Sequence, residues 1–261
     1  MIITNIQTQK QKNRFNLFVD QKFVMGISED TLIAHQLYKG KNITDKELTQ
    51  LVVSEELAQA KNSALNYLSF QMRSCFEIKQ YLQKKGFSEQ VATEAVQKLQ
   101  AINLLNDLQL ANNYLKTMQQ TSDKGPLVIK KKLQQRKISP ELIAQAFATY
   151  DFQLDKQRLS KLVMKYFQHY HRDSFKQRLN KVKQRLLTKG FSGNAIDEIL
   201  NTIPATDEQT EQAILTQQLD KLSKRYSQLP LSKRRQKCLQ AMIRKGFAFA
   251  DVQQALNELK E

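Results

Sequence analysis

The sequence predicts a mainly α protein: tandem three-helix repeats in an elongated array, preceded by a small β-containing segment. Three observations carry this. A short word recurs four times, as Lys85-Gly86-Phe87, Arg136-Lys137-Ile138, Lys189-Gly190-Phe191 and Lys245-Gly246-Phe247. The apolar residues closing these words are spaced 51, 53 and 56 residues apart. Three of only seven glycines fall at the middle position of the word. Each word reads as a helix stop. A cation faces the negative end of the helix dipole, glycine takes the left-handed C′ conformation, and the apolar residue folds back on the last turn. Four equivalent stops imply one helical unit used four times.

The first sixty residues differ in kind. Ile2 to Gln9, Arg14 to Asp20 and Phe23 to Ile27 alternate as short strands, with turns at Gln9 to Asn13 and at Gln21-Lys22. Ser28 starts a helix with Glu29 and Asp30 in its first turn, and Gly40 is expected to end it. Thr44 caps a further helix beginning Asp45-Lys46-Glu47.

Aligning the copies on the stop shows the unit. Leu82, Leu133, Leu186 and Met242 stand five residues before its apolar residue, and Ile78, Ile129, Val182 and Cys238 stand nine before. Four-residue steps mark the buried stripe of a first helix. Ser88, Ser139 and Ser192 cap a second helix, Pro140 takes its first position, and Ala248 replaces the serine in the fourth copy. The stripe of that second helix is Ala92, Ala95, Val96 and Leu99 in copy one, and Ile143, Ala146, Phe147 and Tyr150 in copy two. It is Ile196, Ile199, Leu200 and Ile203 in copy three, and Val252, Ala255, Leu256 and Leu259 in copy four. A third amphipathic segment follows in three copies: Asp107 to Met118, Asp155 to Tyr170, and Asp207 to Tyr226. The expected domains are therefore 1–62, with short strands plus helices, repeats at 63–118, 119–172 and 173–226, and a partial repeat at 227–261.

Composition sets limits on function. No apolar run approaches twenty residues, so no membrane span is expected. The start lacks a basic region followed by a long apolar core, and Cys75 and Cys238 sit singly in predicted helices. Both point to a cytoplasmic protein with reduced thiols. His35, His169 and His171 make no metal motif, since a helix would point the last two apart. Lys39-Gly40-Lys41 lacks the context of a phosphate loop. No catalytic, cofactor or metal site is expected.

The formal charge of +16 is uneven. Residues 119–172 carry eleven Lys and Arg against four Asp and Glu. Stretches 124–140, 174–196 and 229–250 contain no acid, and each covers a first helix with its stop. In register, these helices form a basic ridge of Lys130, Lys131, Lys132 and Arg136, then Lys181, Lys183, Arg185 and Lys189, then Arg234, Arg235, Lys237 and Lys245. For one helix, a solvated face is the simpler account. Three acid-free helices repel one another unless a polyanion or acidic surface is the partner. Sequence-specific reading by the second helix is disfavoured, because that helix carries Glu89, Glu94, Glu141, Asp197, Glu198 or Asp251. Nonspecific contact with phosphates is not.

Two blocks resemble a known family. Arg73-Ser74-x-x-Glu77-Ile78-x-x-x-Leu82-x-x-Lys85-Gly86-Phe87 continues to Leu104-Leu105-Asn106-Asp107 and Ala111-x-x-Tyr114. The second reads Ser122-x-Lys124-Gly125-Pro126-x-x-Ile129-x-x-x-Leu133, then Ile138. In order and spacing these are similar to the RecX family, regulators of the RecA recombinase. The match covers residues 64–150 well, with weaker repeats beyond, and the strand-rich start is similar to that of longer members. Lys137 stands where the second block usually has glycine, and Leu110 where an aromatic is common. The resemblance implies a non-enzymatic protein that binds RecA filaments on single-stranded DNA. It would mostly inhibit recombinase, ATPase and co-protease activity, and so dampen the SOS response. Its partners would be the RecA filament and, weakly, single- or double-stranded DNA, with the protein a monomer. A nonspecific DNA-binding repeat protein is the alternative, and a scaffold for an acidic protein comes third.

Overall fold

The structure, a computed structural model, describes residues 1–149 and 156–258. It contains three strands and thirteen helices among the described residues. The chain forms two compact units: Met1–Tyr114 with Leu133–Thr149, and Leu115–Lys132 with the described residues of Tyr150–Glu261.

In the first unit β1 (Ile3–Thr8), β2 (Arg14–Val19) and β3 (Lys22–Ser28) pair as an antiparallel meander in sequence order. Lys22 already pairs with Val19, so the β2–β3 turn is Asp20-Gln21, one residue earlier than expected. Both turn residues have positive φ (47° and 65°), the backbone that matches strand twist in a two-residue hairpin. Helix α1 (Glu29–Ala34) starts at the Ser28 cap, as expected. It does not run to Gly40. Burial of Leu37 reverses the chain at Gln36 (φ 47°), and the Leu37 N–H donates to the Leu32 carbonyl. The fold-back of an apolar residue closes the helix without a glycine.

Helix α2 (Asp45–Leu68) begins with a complete capping box between Thr44 and Glu47. Its first turns lay Leu51 on the sheet core with Ile3, Leu17, Val19 and Ile27. Its later residues Leu57, Ala60 and Ala64 join a second core. Glu55 lies between the two, 2% exposed. It accepts from the Ser28 N–H at 2.7 Å and the Thr31 hydroxyl at 2.9 Å, and pairs with Arg14 at 3.2 Å. Burial pushes this carboxyl's pKa upward, but those hydrogen bonds hold it below the ordinary value.

The second core comprises α2, α3 (Cys75–Lys84) and α4 (Glu89–Ala101), through Ile78, Leu82, Val91, Ala92, Ala95, Val96 and Leu99. Along α5 (Asp107–Thr121), α6 (Pro126–Gln135) and α7 (Pro140–Thr149), the buried residues include Leu110, Ala111, Leu115, Ile129, Leu133, Ile143 and Ala146. In the second unit α8 (Lys156–His169), α9 (Phe175–Thr188) and α10 (Gly193–Leu200) enclose Val163, Phe167, Val182, Leu186, Phe191 and Ile196. A further core of Leu215, Leu219, Cys238, Met242, Phe247 and Val252 joins α11 (Glu208–Arg225), α12 (Leu231–Arg244) and α13 (Phe249–Glu258).

These cores group α2, α8 and α11 each with the pair that follows it, whereas the expected units placed the long helix last. Residue 62 accordingly falls inside α2. The connection from Ser69 to Ser74 is short, so the pair that can close on α2 is the next one in the chain. The expected stripes otherwise lie inward, with all eight aligned first-helix positions buried. Tyr150, Asp155 and Leu259 lie outside the described residues. Ser88, Ser139 and Ser192 each accept from the backbone N–H three residues on. Burial and the neighbouring Asp107 push the Cys75 thiol up to about 12, and burial raises Cys238, so both are poor nucleophiles.

All four stops close alike. Gly86, Gly190 and Gly246 have φ of 95°, 90° and 87°, and Lys137 adopts 58°. Each next residue donates to the carbonyl five back: Phe87 to Leu82, Ile138 to Leu133, Phe191 to Leu186, Phe247 to Met242. Lysine accepts the left-handed strain of about 1 kcal/mol because the fold-back of Ile138, 3% exposed, outweighs it.

Candidate functional site

The basic first helices are where sequence reasoning places function, and the structure sorts their cations into three settings. The first is a joint between repeats, made the same way each time. The carbonyl of the residue before the left-handed position accepts from the start of the preceding first helix: Arg136 from the Ser74 hydroxyl (2.7 Å), Lys189 from the Gly125 N–H (2.7 Å), Lys245 from the Ser174 N–H (3.0 Å). The side chain of that same residue then reaches back. Arg136 forks onto Glu77 at 2.7 Å and binds the Met72 carbonyl. Lys189 pairs with Asp123 at 2.5 Å. Lys245 donates to Gln218 at 2.7 Å and to the Arg172 carbonyl. Lys85, in the copy with none before it, lies exposed over Tyr81 instead. The cation of the stop word is therefore chiefly a clasp.

Glu77 both completes the capping box with Ser74 and receives Arg136. Burial works against its charge, but Arg136 and the Ser74 N–H keep its pKa below the ordinary 4.5. The hydrogen bond from Lys189 likewise lowers Asp123. Burial lowers the pKa of Lys245, which nearby Asp173 only partly offsets.

The second setting lies within a repeat. Lys181 pairs with Asp173 at 2.7 Å and Lys183 with Asp197 at 2.6 Å. Arg235 donates to Asn257. Asp123, Asp173 and Asp197 are three of the acids that border the acid-free stretches, and each folds back onto a cation inside or beside them. Charge that looked uncompensated along the chain is partly neutralised in space. The Arg234 Nε is buried without a partner.

The third setting is free surface. Lys130, Lys131 and Lys132 are all exposed, between the buried Ile129 and Leu133, with no acid beside them in α6. Arg185 is exposed over the Tyr166 ring, 4.7 Å from its centroid, and Lys237 lies 5.4 Å from that of Tyr226. The tyrosines were not singled out from the sequence. The signal was there: Tyr166 on α8 and Tyr170, just past its end, are four residues apart. His169 and His171 were expected to point apart on one helix, yet α8 ends at His169 and both border one cleft. Among the described residues, no three His, Cys, Asp or Glu side chains gather to hold a metal. No helix there is long and apolar enough to cross a membrane.

Comparison with known proteins agrees with this construction along the chain. Residues 1–44 match the regulatory protein RecX N-terminal domain, and 60–99 match the RecX first three-helix domain. The second three-helix domain matches at 106–146, and the third at both 155–200 and 209–256. Regulatory protein RecX of Levilactobacillus brevis is 33% identical over 262 residues, covering 100% of this chain and 98% of its own. That of Bacillus subtilis is 31% identical over 258 residues, covering 98% of each. A crystal structure of regulatory protein RecX superposes with a TM-score of 0.68 at 31% identity, over 77% of this chain and 98% of that one. RecX from Lactobacillus salivarius gives 0.54 at 37% identity, over 57% and 96%. With these family domains matching along most of the chain and relatives above 30% identity over nearly all of it, the chain belongs to the RecX family of regulatory proteins.

Proposed function

We propose that this protein is a non-enzymatic regulator that binds RecA filaments on single-stranded DNA and mostly inhibits their recombinase, ATPase and co-protease activity. It would act as a cytoplasmic monomer and touch DNA weakly. One observation carries the contact surface: Lys130, Lys131 and Lys132 are exposed on α6, the first helix of the most basic repeat, with no acid beside them on that helix. Cations already clasped at the joints, such as Arg136 and Lys189, are less free to bind a partner. The basic edge proposed from sequence thus narrows to fewer side chains. Repeated weak contacts along a filament of identical subunits sum to strong binding.

The test adds the protein to preformed RecA–single-stranded-DNA filaments and follows ATP hydrolysis. Changing Lys130, Lys131 and Lys132 together to Glu is expected to weaken inhibition strongly, with circular dichroism unchanged. A folded triple variant of unchanged potency refutes the surface. A stand-alone DNA-binding protein is distinguished by salt: filament binding that persists once free-DNA binding is abolished favours the regulator.

A further inference from the structure

Two clefts open on the third repeat, one of about 690 Å³ along α9 and one of about 640 Å³ between α8 and Asp123. Both are of a size that holds small ligands. They share two lining residues, Arg185 and Lys189, so the two clefts adjoin. Lys181 borders the first and Lys165 the second. Two of these four cations are ion-paired: Lys181 with Asp173 and Lys189 with Asp123. Arg185 differs. Its guanidinium lies 4.7 Å from the Tyr166 ring centroid and hydrogen-bonds the neutral Tyr166 and Tyr170 side chains, and among the described residues it has no ion-pair partner. Neutral tyrosines orient a guanidinium without cancelling its charge, which leaves its remaining N–H groups for an outside anion. Gln177, Asn180 and Gln184 add uncharged donors on the same cleft wall.

We infer that this double cleft binds the sugar–phosphate backbone of single-stranded DNA, with Arg185 as the central phosphate anchor. A rigid duplex presents its phosphates on a convex rod and reaches only a rim. A single strand can thread both clefts. Bases are not stacked here: Tyr166 is 7% exposed, with Arg185 over its ring, and Lys181 stands over Tyr170 at 5.4 Å. Recognition is therefore of backbone, independent of base. The inference rests on the filament-regulator reading, since it supplies the strand that a RecA filament carries. It also stands apart from that reading, because the strand can be offered alone.

The experiment measures fluorescence anisotropy of a labelled thymidine oligonucleotide with the full chain and no recombinase. The wild type is expected to bind, Arg185→Ala about tenfold more weakly, and Arg185→Lys in between. Each lost phosphate contact flattens the slope of log affinity against log salt by about 0.7. An abasic oligonucleotide should compete as well as the thymidine one, and polyglutamate at least tenfold worse. No binding by the wild type, unchanged binding by a folded Arg185→Ala, preference for duplex, or equal competition by polyglutamate overturns the inference. A tenfold loss with the abasic strand overturns backbone recognition. None of these outcomes touches inhibition of filament ATPase, which is read separately through the α6 lysines.

Discussion

Gly86 and Gly190 form a natural experiment on the joints. Their φ values are nearly equal, 95° and 90°. An alanine at either position carries the same left-handed strain, about 1 to 2 kcal/mol. Their surroundings differ. A Cβ on Gly86 meets nothing within 4 Å, because no earlier repeat donates to that stop. A Cβ on Gly190 falls 2.6 Å from the Val128 backbone nitrogen and 2.7 Å from its Cγ2. Backbone cannot yield as a flexible side-chain end does, so overpacking adds about 1 to 3 kcal/mol. Gly190→Ala is thus expected to cost about 2 to 5 kcal/mol and Gly86→Ala only the first part. A chain of two units need not unfold in one step. The loss is best read from amide hydrogen exchange in α9 and α10 for Gly190→Ala, and in α3 and α4 for Gly86→Ala. Equal losses within about 0.5 kcal/mol would refute close packing at the joint.

Gly125→Ala tests the other side of that joint: its φ is not positive, yet its Cβ would meet the Gly190 carbonyl, so a loss there is pure crowding and should match the second part of the Gly190 cost. Lys137→Gly relieves left-handed strain of about 1 kcal/mol, less about half of that for the freer unfolded chain, and should raise the melting temperature by about 1 to 2 °C. An Arg136→Ala and Glu77→Gln double-mutant cycle should give a coupling of about 1 kcal/mol, discounted because both side chains are about a quarter exposed. Glu77 and Asp123 are held below their ordinary values, so the unfolded chain takes up their protons first as pH drops. Their stabilisation is full above about pH 5 and fades as pH falls through and below 4. Urea midpoints across that range should show a smaller acid loss in Arg136→Ala.

The helical repeat was legible in the sequence because its causes are local. Stops, serine caps and four-residue apolar steps depend on residues within two or three turns of one another, and Gly86, Ser88, Leu82 and Ile78 behave as that chemistry requires. Even Lys137 follows the pattern, since the apolar fold-back drives it. Only the tertiary structure decided how helices group and where charge is free. Which long helix joins which pair depends on connection length and inter-helix packing, which periodicity does not encode. Arg136 meets Glu77 and Lys189 meets Asp123 across 59 and 66 residues. Those contacts turned cations that resembled surface into clasps. They left Lys130 to Lys132 and Arg185 exposed, because an ion pair is a fact of distance in space and charge along a chain records only composition.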